Sequence, residues 1–91
     1  MERKTILLVE DDSILRDMLR GVLAREYTVL EASSYSEAQK RVSKSIDLAL
    51  TDYDLPDGDG FDVLRTLREV NPALSAIIMT EHSLQGTTSV G

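Results

Sequence analysis

The residues with chemistry to offer are carboxylates placed at the ends of apolar runs. Thr5-Ile6-Leu7-Leu8-Val9 leads straight into Glu10-Asp11-Asp12, and Leu48-Ala49-Leu50-Thr51 leads into Asp52. A loop of turn-forming residues follows, Tyr53-Asp54-Leu55-Pro56-Asp57-Gly58-Asp59-Gly60. A further run, Ala76-Ile77-Ile78-Met79, stops at the hydroxyl of Thr80. Taken alone, Asp52 reads as an ordinary strand-to-loop aspartate. In a parallel sheet, however, all carboxyl ends lie on one edge, where open α/β sheets place their ligands. Asp11, Asp12, Asp52 and Thr80 are then candidates to converge. Carboxylates gathered in a crevice repel one another and titrate as a coupled set. A hard divalent cation relieves that repulsion. Mg²⁺ suits such a site, taking a few carboxylates and completing its shell with waters and phosphate oxygens. A carboxylate beside the cation can attack a phosphoryl group and form an acyl phosphate. The cation, and a hydroxyl such as that of Thr80, would stabilise charge on the phosphoryl oxygens.

The elements that must position these groups follow from periodicity. Short apolar runs without alternation predict buried strands at about 5–9, 27–32, 48–51 and 76–79. Ile14, Leu15, Met18, Leu19, Val22 and Leu23 recur at helical spacing. They predict a helix from Ser13 to about Arg25-Glu26, capped by Asp12 or Ser13. Ser33, Ser34 and Ser36 supply turn and cap chemistry for a second helix, about 36–43, with a thin apolar face in Ala38 and Val42. Phe61, Leu64, Leu67 and Val70 mark a third, which Asn71-Pro72 stops because the residue before proline is pushed out of the helical region. Met18 and Met79 read as core fillers. Strands alternating with helices imply right-handed crossovers and a parallel sheet covered on both faces. Residues 1–81 are expected to form the domain. The polar, small residues 82–91 are expected to be a loose or disordered tail, with His82 a solvated loop residue.

Composition narrows the function. A chain of 91 residues with 42% hydrophobic and 29% charged residues is one soluble globular domain. It has no cysteine, which excludes disulfides and thiolate metal sites. No apolar run approaches the roughly 20 residues of a membrane span, and the N-terminus lacks a secretory signal, so a cytoplasmic location without membrane contact is expected. The net charge of −6 argues against direct nucleic-acid binding and suits cations or a basic partner surface.

Together these motifs resemble the receiver domain of bacterial two-component response regulators. Leu-Leu-Val-Glu-Asp-Asp, Leu-Thr-Asp-Tyr-Asp-Leu-Pro-Asp-Gly-Asp-Gly and Ile-Ile-Met-Thr carry the likeness, which extends from about Lys4 to Glu81. The 50–80 region is most similar to receivers of the nitrogen-regulation type. The resemblance implies a flavodoxin-like doubly wound parallel sheet of order 2-1-3-4-5. It implies that Asp52 is the phosphoacceptor, that Asp11 and Asp12 hold Mg²⁺ with Asp12 the more direct ligand, and that the backbone carbonyl of Asp54 is a further ligand. Thr80 matches the hydroxyl residue that turns toward the phosphoryl group. The implied protein is a phosphorelay switch that takes its phosphoryl group from a histidine kinase or phosphotransfer protein. It is no turnover enzyme, catalysing at most its own phosphorylation and dephosphorylation.

Three departures qualify that expectation. The sequence given holds no residues for the family's last strand and helix, and with them no strand-five lysine or aromatic switch residue. Glu81 stands where a small residue is usual. The strand at 76–79 then becomes an exposed apolar edge, which predicts a homodimer, element exchange, or completion by a partner. The alternative function is a phosphorylation-deficient receiver that works as an interaction or sequestering module. Asp52-Tyr53-Asp54 also resembles the Asp-x-Asp of haloacid-dehalogenase-type phosphatases, but in that fold the motif follows the first strand and needs a long downstream segment with lysine and acidic residues, which this sequence lacks.

Overall fold

The computed structural model describes residues 3–80; Glu81, His82 and the expected loose tail lie outside them. The elements in order are β1 (Thr5–Val9), α1 (Ser13–Leu23), β2 (Thr28–Ala32), α2 (Tyr35–Lys40) and β3 (Leu48–Asp52). The short strands β4 (Asp54–Leu55) and β5 (Gly58–Asp59), α3 (Gly60–Val70) and β6 (Ser75–Met79) follow. Four parallel strands form one sheet in the order β2-β1-β3-β6. This is the flavodoxin-like doubly wound arrangement, and the strand limits fall within a residue or two of those the apolar runs predict. The loop after Asp52 differs: β4 and β5 pair antiparallel within it.

The central strand explains the unbroken apolar run. Ile6, Leu7, Leu8 and Val9 are all buried because β1 is covered on both faces. Leu7, Val9, Ala49 and Ile78 join Ala38 of α2 and Val63, Leu64 and Leu67 of α3 in the main core. Each fully buried aliphatic side chain of this kind contributes about 1.5–3 kcal/mol. Ile6 and Leu8 alternate with that set and so face the other side, toward α1.

On that other side the described residues cover less of the apolar surface. Leu19 and Leu23 are half-buried, whereas Ile14 is 74% and Met18 63% exposed. Among the described residues nothing covers Met18, and only the Leu19–Leu23 edge of the α1 stripe is packed. A matching gradient crosses the sheet: Leu8 is buried, its register partner Leu50 half-buried, and Leu50's partner Ile77 exposed.

Local chemistry fixes the helix starts. Asp12 caps α1, Ser34 caps α2, and Asp59 caps α3 in a reciprocal capping box with Asp62. Asp57, in the loop after β3, accepts the backbone N–H groups of Tyr35 and Ser36 at 2.8 and 2.9 Å, adding a second cap to α2. Gly60 begins α3 directly against the end of β3. Its N–H donates to the Tyr53 carbonyl (2.8 Å), and a Cβ there would stand 2.8 Å from the Asp52 carbonyl oxygen. Only glycine lets the helix approach so closely. Gly60→Ala is therefore expected to destabilise the protein by about 1–3 kcal/mol, read as a lower urea midpoint at unchanged m-value.

Candidate functional site at the carboxyl rim

The register of β1 on β3 builds the site. Val9 pairs with Thr51, so the next residues, Glu10 and Asp52, emerge side by side at the rim. Glu10 is held through its backbone: its N–H donates to the Ala32 carbonyl (3.0 Å), and its carbonyl accepts from Arg16 Nη1 (2.8 Å). Its side chain turns inward and Oε2 accepts the Asp12 N–H at 3.0 Å. Glu10 is 3% and Asp52 8% exposed, while Asp11 reaches the cluster from the surface. Glu10, Asp11 and Asp52 each present a carboxylate oxygen, all within 4.8 Å of one another.

Asp12 is placed elsewhere. Its Oδ1 accepts the Ile14 and Leu15 N–H groups at 2.9 and 3.2 Å, which occupies the carboxylate as the α1 cap. The sequence pairs Asp11 with Asp12 at this site; the structure pairs Asp11 with Glu10. The physical reason is the tight turn from strand to helix. The residue just past the strand still lies beside β3, whereas the residue before the helix faces the helix's unpaired amides. The run of three carboxylates carried that signal, since a helix starting at Ser13 already claims the last of them.

Asp54 opens β4 and is exposed. Thr80 is half-buried and directly follows Met79, the register partner of Asp52, so it stands one step further along the neighbouring strand. Tyr53 and Phe61 meet edge to face at the mouth, ring centroids 6.0 Å apart.

Burial dominates the electrostatics. It pushes the Glu10 carboxyl up to about 7, with the charges of Asp52 and Asp11 adding to the rise and the Asp12 N–H opposing it. Burial also raises Asp52 above the usual aspartate range, helped by the Asp11 charge and opposed by the backbone N–H groups of Asp54 and Tyr53. None of the ion pairs among the described residues involves Glu10, Asp11 or Asp52. An all-oxygen donor set with unrelieved negative charge fits a hard divalent cation such as Mg²⁺. A cavity of about 400 Å³ lined by Lys4, Tyr27, Asp47 and Asn71 opens at the opposite edge of the sheet and contains none of these groups.

Fold and rim together define a doubly wound α/β protein with an acidic pocket at the β1/β3 switch point, where such sheets bind ligands. Residues 6–89 match the response regulator receiver domain, and the chain belongs to that family, whose members act in two-component signalling. It is 33% identical over 85 residues to the DNA-binding transcriptional regulator NtrC of Proteus hauseri, covering 91% of this chain and 18% of that protein. The non-phosphorylated HemR receiver domain from Leptospira biflexa superposes with a TM-score of 0.82 at 33% identity, over 93% of this chain and 68% of that one. The MaeR response regulator bound to beryllium trifluoride matches with a TM-score of 0.73 and 33% identity, over 86% and 67%. The chain thus spans less than a fifth of the NtrC relative's length. No helix among the described residues is long and apolar enough to cross a membrane.

The raised carboxyls set a pH dependence. Glu10 holds its proton to about pH 7 when folded but only to about 4.5 when unfolded, so the folded state binds more protons between those values. In the presence of a chelator the contribution of this group to stability is expected to be fully present below about pH 4.5 and to be lost as pH rises through about 7. Thermal melts of Glu10→Gln should lose that part of the decline; an unchanged slope would show that Glu10 is not its source.

Proposed function

We propose that this receiver accepts a phosphoryl group on Asp52 from a histidine kinase or phosphotransfer protein, in a reaction that requires Mg²⁺. The observation that carries the reading is the buried Asp52 carboxylate, with Glu10 and Asp11 within 4.8 Å and none of the three in an ion pair among the described residues. Glu10, Asp11 and Asp52 would hold the cation, with the backbone carbonyl of Asp54 as a further donor. When bound, the cation supplies positive charge against the phosphoryl oxygens.

The chain's own residues do the rest. A carboxylate oxygen of Asp52 attacks phosphorus in line, the bond from phosphorus to the donor's nitrogen or acyl oxygen breaks, and the donor leaves with the bonding pair. The β3 backbone holds the attacking oxygen at the rim, and Gly60 lets the start of α3 close behind it. The Thr80 hydroxyl, one step along β6, donates to a phosphoryl oxygen of the product. The domain then acts as a switch, returning to its starting state when water hydrolyses the acyl phosphate.

A small acyl phosphate with Mg²⁺ is expected to add one phosphoryl mass to the intact protein. Asp52→Asn should abolish the gain, and Glu10→Gln and Asp11→Asn should abolish or strongly reduce it. Asp12→Asn should retain it, because asparagine caps a helix as well as aspartate. No gain in a folded sample would favour the interaction-only receiver. We also propose self-association along β6, supported by its place at the end of the sheet and by exposed Ile77 among the described residues. Sedimentation velocity should then show a concentration-dependent dimer, and a monomer at all concentrations would remove this part of the reading.

A further inference from the structure

We infer that Arg16 is a positioning residue for the acidic cluster: by holding the Glu10 carbonyl it sets the plane of the peptide that joins Glu10 to Asp11. The inference rests on the cation-binding reading of that cluster. Arg16 lies in the first half of α1, and helix side chains lean toward the helix N-terminus, which returns its guanidinium to the end of β1. Nη1 donates to the Glu10 carbonyl at 2.8 Å and Nε to Glu31 Oε1 on β2 at 3.3 Å. Arg20 Nε holds the other oxygen of Glu31 at 3.3 Å. The side chain is only 20% exposed, so its fork is fixed between two strands and a helix.

The placement matters because the strand ladder has run out at this point. Glu10 still donates its N–H to β2, but the β1–β3 pairing ends at Val9 and Thr51. The Glu10 carbonyl points to the same side as its N–H, toward β2, where the β1–β2 register also ends at Val9 and Ala32, and there the guanidinium takes it up. The peptide plane so fixed carries one cluster carboxylate on each side, Glu10 before it and Asp11 after it. Rotation of that plane would swing both away from Asp52. Lysine cannot replace the fork, since a single ammonium does not satisfy a carbonyl and a carboxylate in the same fixed geometry. A bond beyond the ligands that fixes their orientation typically changes metal affinity by about 10–100-fold.

The test is Mg²⁺ titration of the full chain by calorimetry, with thermal melts alongside. Arg16→Met is expected to bind Mg²⁺ about tenfold more weakly or worse, Arg16→Lys to fall between, and Arg20→Met to stay close to wild type. Without cation, the Asp11 backbone amide resonance should move in Arg16→Met and not in Arg20→Met. A purely structural role would lower the melting temperature of Arg16→Met and leave the affinity of its folded form unchanged. Wild-type affinity in folded Arg16→Met, or in Arg16→Lys if the former does not fold, overturns the inference alone. Absence of Mg²⁺ binding by the wild-type protein overturns the cation reading and the inference with it.

Discussion

Three carboxyl groups held within 4.8 Å of one another, two of them buried, are the constraint on which the rest depends. Two unit charges 4 Å apart repel by roughly 4 kcal/mol at an effective dielectric constant of about 20. A chain free to move would separate them. Here they are fixed by backbone, not by side-chain attraction: Glu10 and Asp52 leave adjacent parallel strands at the same level, and Asp11 follows on a pinned peptide. Burial first, and the charges of Asp52 and Asp11 after it, raise the Glu10 carboxyl, so proton uptake there relieves part of the strain.

The opposing term is the apolar core beneath the rim. Leu7, Val9 and Ala49 anchor the strands that end in the acidic groups, Ile78 packs with them from β6, and Val63, Leu64 and Leu67 clamp them from α3. At about 1.5–3 kcal/mol for each large buried side chain, a few such contacts outweigh the crowding of charge. The two faces of the sheet are unequal in this respect. Toward α2 and α3 the core is continuous, whereas toward α1 burial falls away from Leu8 to Ile77.

Much of this was legible in the sequence. A strand covered on both faces advertises itself as an unbroken apolar run, so β1, β3 and the rim position of Asp52 could be read directly, and β6 carries the same kind of run although Ile77 is exposed. The α1 period was equally clear, but a period reports that a face is apolar and not how much of it is covered; Met18 shows the difference. The β4–β5 ribbon left no signal, since two-residue strands are made by turn geometry and have no pattern of their own. Glu10 was hidden by its neighbours. Three consecutive carboxylates differ only in where the chain turns, and a single residue of offset separates a cluster member from a helix cap.

Asp57 has a consequence for how this chain can be altered. Its carboxylate joins the loop beyond Asp52 to the first amides of α2, and Tyr35 in turn bonds Thr66 on α3 at 3.0 Å. The loop, the α2 start and the α3 flank therefore form a single stitched seam. Residues spliced in around Asp57 would unpick a helix three elements earlier in the chain. The exposed turn at Lys44 is different: Ser43 and Ser45 bond to one another across it. A reporter peptide or fused domain belongs at Lys44, where the fold can accept foreign sequence without the rim noticing.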